Sequence, residues 1–156
     1  MKKRLLSLIL ALTMVLGMFP AAVFAEDGET PATSGSCGES ATWSYNADTQ
    51  TLTISGTGAV NDYGMGFDYA PPYADSAKYP IVHFVVEEGI TKLGTYSLYS
   101  FDRNAGSNSY VNMTVTDIQL PDSLTEIGGD AIYRHGALKS ITFPKGMTSF
   151  NPSRET

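Results

Sequence analysis

With Cys37 as its only cysteine, the chain cannot close an internal disulfide. Histidine is nearly as scarce, present only as His83 and His135. There is no H-x-x-x-H pair, no cysteine pair and no EF-hand spacing. Neither a zinc nor a calcium site is indicated, and no cofactor is expected. A Cys/His nucleophile pair would have to use Cys37, which reads instead as a small, partly buried residue of a capping strand. Basic side chains are also few. Of ten, three (Lys2, Lys3, Arg4) lie at the extreme N-terminus, leaving seven against sixteen acidic residues. An acidic surface repels phosphate backbones, so nucleic acid is not expected as a partner. After residue 18 no long apolar run occurs, which leaves no candidate membrane span beyond the leader.

What is present begins with that leader. Met1–Arg4 is a short basic segment. Leu5 to Met18 is apolar apart from Ser7, Thr13 and Gly17, and Pro20 and Val23-Phe24-Ala25 follow. This is the pattern of a secretory signal peptide over residues 1–25, with Glu26 as the mature N-terminus. The expected location is secreted or cell-surface associated. Residues 26–36, rich in Gly, Thr, Ser and Pro, read as a flexible linker, with order starting near Cys37.

Residues 37–80 form a capping region. Thr42-Trp43-Ser44-Tyr45 and Thr51-Leu52-Thr53-Ile54-Ser55 alternate bulky and polar residues with period two, separated by turn formers. They predict a β-hairpin with one buried face carrying Trp43, Tyr45, Leu52 and Ile54. Gly56-Thr57-Gly58 lacks the Lys-Ser/Thr of a phosphate loop and ends the second strand. The aromatic stretch from Tyr63 through Phe67, Tyr69 and Tyr73 to Tyr79 reads as a plug for the end of a repeat stack. A sugar-binding platform is the alternative.

From residue 81 the sequence repeats. Segments starting at Ile81, Val115 and Leu138 align without internal gaps. Five apolar columns recur: Ile81/Val115/Leu138, Phe84/Ile118/Ile141, Val86/Leu120/Phe143, Ile90/Leu124/Met147 and Leu93/Ile127/Phe150. Thr91, Thr125 and Thr148 align between them, and Leu98/Ile132 adds a sixth column in the two complete units. The units are 81–114, 115–137 and an incomplete 138–156. The last two are 23 residues apart and the first two 34, the excess fitting a loop inserted within residues 100–114. Insertions that spare the columns are what a solenoid tolerates, because loops leave the stack without disturbing it. Each unit is expected to hold a short strand, a turn and a returning extended or helical segment. One such unit buries too little apolar surface to offset its own ordering, so neighbours must stack.

Cys37-Gly38…Thr42-Trp43-Ser44-Tyr45…Thr51-Leu52-Thr53-Ile54-Ser55-Gly56-Thr57-Gly58 resembles the N-terminal cap of BspA-like leucine-rich repeat proteins. Ile118-Gln119-Leu120-Pro121-Asp122-Ser123-Leu124-Thr125-Glu126-Ile127-Gly128 and Ile141 to Phe150 resemble that family's 23-residue repeat. The resemblance covers about residues 37–150. It implies a mainly β fold, a right-handed leucine-rich-repeat solenoid with an N-terminal β-hairpin cap, short and incomplete at the C-terminus. It further implies a secreted or surface protein of gut- and mouth-type bacteria that binds host proteins or other cells and carries no catalytic residues. The family's arrays run longer and this sequence stops inside the third repeat, so the chain reads as a truncated open reading frame or as a fragment of a longer surface protein.

Residues alternating with the apolar columns should face outward on the strand sheet. They are His83 and Val85, Asp117 and Gln119, and Ser140 and Thr142, the candidate ligand face. The expected partner is an extracellular protein of host or bacterial surface, with a glycan as the alternative. Glu87-Glu88 reads as a solvated rim and not as an acid/base pair. Asn112-Met113-Thr114 matches a glycosylation sequon by pattern alone.

Overall fold

The computed structural model describes residues 31–65, 69–101 and 114–151. The leader, residues 26–30 of the expected linker, Phe67, the body of the insertion loop, Asn112, Met113 and Arg154-Glu155-Thr156 lie outside the described residues. Among the described residues every regular element is a strand, and no helix is long and apolar enough to cross a membrane.

The expected hairpin is there. β2 (Ala41–Asn46) pairs antiparallel with β3 (Thr51–Gly56), placing Trp43 opposite Ile54 and Tyr45 opposite Leu52. Its turn is closed by Asn46, whose Oδ1 accepts the amides of Asp48 and Thr49 at 2.9 and 3.1 Å. A short polar side chain that satisfies two backbone donors is the reason asparagine opens such turns. One expectation changes at the N-terminal side. Ser34–Ser36, inside the stretch read as linker, form β1, paired antiparallel with β2. Order therefore starts before Cys37. Pairing with β2, the close approach of Gly35 to the Trp43 indole and the Tyr79 hydroxyl donating to Ala32 O hold this edge, and none of these is betrayed by its Gly/Ser composition.

Beyond the hairpin all pairing is parallel. β5 (His83–Val86) lies beside β3, and β7 (Asp117–Gln119) beside β5, giving a five-stranded sheet in the order β1-β2-β3-β5-β7. A second sheet orders β4 (Gly58–Ala59), β6 (Ile90–Leu93), β8 (Glu126–Ile127) and β9 (Ser149–Phe150). The registers reproduce the sequence columns: Phe84 pairs with Ile118, and Leu93 with Ile127, which pairs with Phe150. The first two units thus add one strand to each sheet, and the third adds β9 to the second sheet alone. The returning segment is extended, not helical.

The cap is more than a lid. Leu52 pairs with Phe84 and Ile54 with Val86, while β4 pairs with β6. β3 and β4 thus occupy the place of a unit preceding the first repeat. The apolar side chains of Leu52, Ile54, Phe84, Val86, Ile90, Leu93, Ile118, Leu124 and Ile127 form one buried core. Tyr73 and Tyr79 close its flank. Both are buried, in edge contact with Trp43 at 5.6 Å centroid distance. At these two positions the aromatic stretch is buried against the core. Tyr69 alone of the described aromatic residues there is widely exposed, at 70%. A second, smaller cluster joins Ala74, Tyr99, Phe101 and Tyr133.

Units are fastened to one another by side chains as well as strands. Thr125 Oγ1 donates to Thr91 O and Thr148 Oγ1 to Thr125 O, both at 3.1 Å, which explains the aligned threonines. Glu88 accepts the amides of Asp122 and Ser123 from the next unit's turn at 2.8 and 3.1 Å, and these bonds hold its carboxyl below the usual range. Thr125→Val is expected to lower stability by about 1 kcal/mol, the typical net worth of one hydrogen bond. A shift of the urea midpoint with unchanged slope would show it.

His135 lies largely inside this stack, edge-on to Phe84, with Nε2 2.9 Å from Leu98 O. Its Nδ1 is buried without a partner among the described residues. Burial pushes the imidazole down from 6.5 to about 4, so it is neutral at pH 7 and Nε2–H is the donor. The unfolded chain takes this proton near pH 6.5, the folded one only near pH 4. Between those values the unfolded state binds more protons, so stability falls as the solution is acidified. The expected loss is up to about 3 kcal/mol at pH 4, from 1.36 kcal/mol per unit of pKa. In His135→Gln, which keeps a donor for Leu98 O, the slope of melting temperature against pH between 6.5 and 4 should flatten.

Candidate ligand face

The outward face of the five-stranded sheet is built by the same alternation that builds the core. Phe84 and Ile118 turn inward and are buried, so His83, Val85, Asp117 and Gln119 turn outward. Parallel pairing sets His83 beside Asp117 and Val85 beside Gln119. His83 Nδ1 lies 3.9 Å from Asp117 Oδ2, and Gln119 Nε2 donates to the same oxygen at 3.1 Å. Three of the six expected residues thus share one polar contact network. It is half-exposed, with the His83 and Asp117 side chains each 43% accessible.

Ser140 and Thr142 do not complete the row as strand residues. No strand forms at 138–144, because this segment is not paired with β7. Both are exposed. A cleft of about 530 Å³ lies between the two segments, lined by Asp117, Gln119, Ser140 and Thr142 together with Asp122 and Lys145. Four of the six expected residues meet there across a gap.

The face also extends where sequence reasoning did not look. Thr51 pairs with His83 and Thr53 with Val85. The cap strand therefore contributes hydroxyls to the same surface. The signal was available, since Thr51, Thr53 and Ser55 alternate with Leu52 and Ile54.

The chemistry offered is recognition by mixed hydrogen bonding. Among the described residues no group of three or more His, Cys, Asp or Glu side chains could hold a metal ion. Cys37 is fully buried, and burial pushes its thiol up to about 11, so no thiolate forms at neutral pH. Tyr73 is equally inaccessible, which leaves Tyr69 as the one described tyrosine of its stretch open to a sugar ring.

No protein-family model matches this sequence, and no curated protein does. A solved structure does match: a leucine-rich repeat protein from Eubacterium ventriosum ATCC 27560, 20% identical, with a TM-score of 0.52. The fold is similar to that of a bacterial leucine-rich repeat protein. The match covers 76% of this chain and 34% of that one, so the chain spans about a third of its neighbour's length. The likeness concerns the fold, and it agrees with successive units stacking through two parallel ladders.

Proposed function

We propose that the chain is an exported, non-catalytic binding module of the BspA-like leucine-rich-repeat kind, built as a short solenoid. Its ligand is an extracellular protein bound on the outward face of the five-stranded sheet. One observation carries the reading: His83, Asp117 and Gln119, from two successive units, join on an accessible surface next to a polar cleft. Repeat architectures use such faces because each unit contributes side chains at a fixed spacing to one extended surface. The basic, apolar leader supports export, and the cap and repeat motifs support a bacterial surface setting.

Pull-down of host and bacterial surface proteins by the mature chain tests this. A captured partner should be lost, or bound at least ~10-fold more weakly, in Asp117→Ala/Gln119→Ala, with the melting temperature little changed. Capture that survives this double variant would move the site elsewhere.

A second reading is favoured by the third unit, where Phe143 and Phe150 are 39% and 46% exposed and touch at 5.1 Å. In it the described units are one end of a longer stack and act as its structural base. Continuing in-frame repeats in the downstream DNA would support that reading, and a clean intergenic gap would remove it.

A further inference from the structure

The third unit pairs its backbone with the second on one side only, although Leu138, Ile141 and Met147 pack against the core. Along the second sheet the attachment is regular. Ser149 pairs with Glu126 and Phe150 with Ile127, and the amides of Thr148 and Ser149 donate to Thr125 O at 2.8 and 3.2 Å. Along the first sheet two things present between the first and second units are missing among the described residues. The segment around Ile141 is unpaired with β7. Asp122, which occupies the column of Glu88, makes no bond to the amides of Lys145 and Gly146 equivalent to those of Glu88.

Every requirement for pairing is nonetheless in place. The 23-residue offset that pairs Ile127 with Phe150 would pair Asp117 with Ser140, Ile118 with Ile141 and Gln119 with Thr142. In this register Ile141 falls over Ile118, which is 3% exposed, and the hydroxyl pair falls on the outward face. A slip of one residue would turn Ile141 to solvent, so the register is specified. The outer edge of β7 presents backbone donors and acceptors to the cleft, the usual template for strand addition.

We propose that the third repeat is a hinged flap. It pivots on the β8–β9 pairing and closes the cleft by laying residues 139–142 against β7. Closure sets Ser140 and Thr142 about 4.8 Å from Asp117 and Gln119, the spacing of adjacent strands, and makes the outward face continuous. Resting on the ligand-face reading, this means that a partner spanning the face selects the closed form, and the flap regulates access to the site.

Amide hydrogen exchange on the mature chain tests the flap. Thr116 N donates to Val82 O at 3.0 Å, so closure would give Lys139 N the equivalent bond to Thr116 O. The Lys139 amide should then exchange at least ~10-fold more slowly than an open segment allows. Unslowed exchange at Lys139 beside a protected Ser149 overturns closure. In Ile141→Asp the Lys139 amide should become unprotected while Ser149 stays protected. Lys139 remaining protected, or both amides losing protection together, overturns the hinge. If exchange shows closure yet no surface protein is captured, the ligand-face reading fails and the flap stands. If a partner is captured while Lys139 exchanges freely, the flap fails alone.

Discussion

Tyr73→Ala is expected to cost about 3–5 kcal/mol, the range for deleting a large buried aromatic. Tyr73 is fully buried. Its ring meets Trp43 and Phe84 edge-on, at 5.6 and 6.3 Å between centroids, and its hydroxyl donates to Ser97 O. Trp43 belongs to the cap and Phe84 to the first repeat, so the side chain ties the two together. Alanine would leave a cavity between them and a carbonyl without its donor. Against a total of roughly 5–15 kcal/mol for a domain of this size, that loss removes a large share of the stability. Urea unfolding followed by tyrosine and tryptophan fluorescence would measure it. Tyr73→Phe should lose only the hydrogen bond, about 1 kcal/mol. Tyr69→Ala, at an exposed site, should stay within about 0.5 kcal/mol. A large effect at Tyr69 and a small one at Tyr73 would reverse the assignment of plug and surface. The same contrast bears on sugar recognition, because glycan binding lost in Tyr73→Ala would report unfolding, whereas loss in Tyr69→Ala would report contact.

Gly94→Ala is expected to cost about 3 kcal/mol, at the upper end of what overpacking imposes. A Cβ at Gly94 would lie 2.2 Å from Asn61 O, 2.4 Å from Asn61 C and 2.7 Å from the Asp62 amide nitrogen. All three are backbone atoms of the cap, and no side chain can swing aside to make room. The first unit would have to lift from the cap, straining the Val60 N–Lys92 O and Tyr63 N–Thr95 O bonds on either side. Gly146→Ala is the matched control. Its nearest neighbour would be Asp122 O at 3.8 Å, an ordinary contact, so the change should be within about 0.5 kcal/mol. Equal melting temperatures for the two variants would show that the cap and first unit are not in close register.

The repeat columns were readable because burial on a short strand recurs every second residue. A side chain such as Phe84 or Ile118 either meets its counterpart in the next unit or is exposed to water. Alignment of Leu93, Ile127 and Phe150 in sequence therefore became pairing in space. The outward positions His83, Asp117 and Gln119 followed from the same alternation. β1 was not readable, since Ser34-Gly35-Ser36 has no apolar face and its place depends on pairing with β2 and on Gly35 fitting against the Trp43 ring. Nor was the burial of His135, because its position between Phe84 and Leu98 depends on how the second unit folds back.

Taken alone, the amino-acid order determined the unit length, the inward columns, the aligned threonines and the outward row, all of which depend on local alternation and on identity at a repeated offset. Tertiary structure decided three further matters. It made the second hairpin strand the first layer of the stack, brought His83 and Asp117 within 3.9 Å, and left Ser140 and Thr142 across a cleft from their partners. These depend on how closely one layer settles on another. That is set by backbone approach at glycines such as Gly94 and by hydrogen bonds between residues far apart in the chain, which no local pattern records.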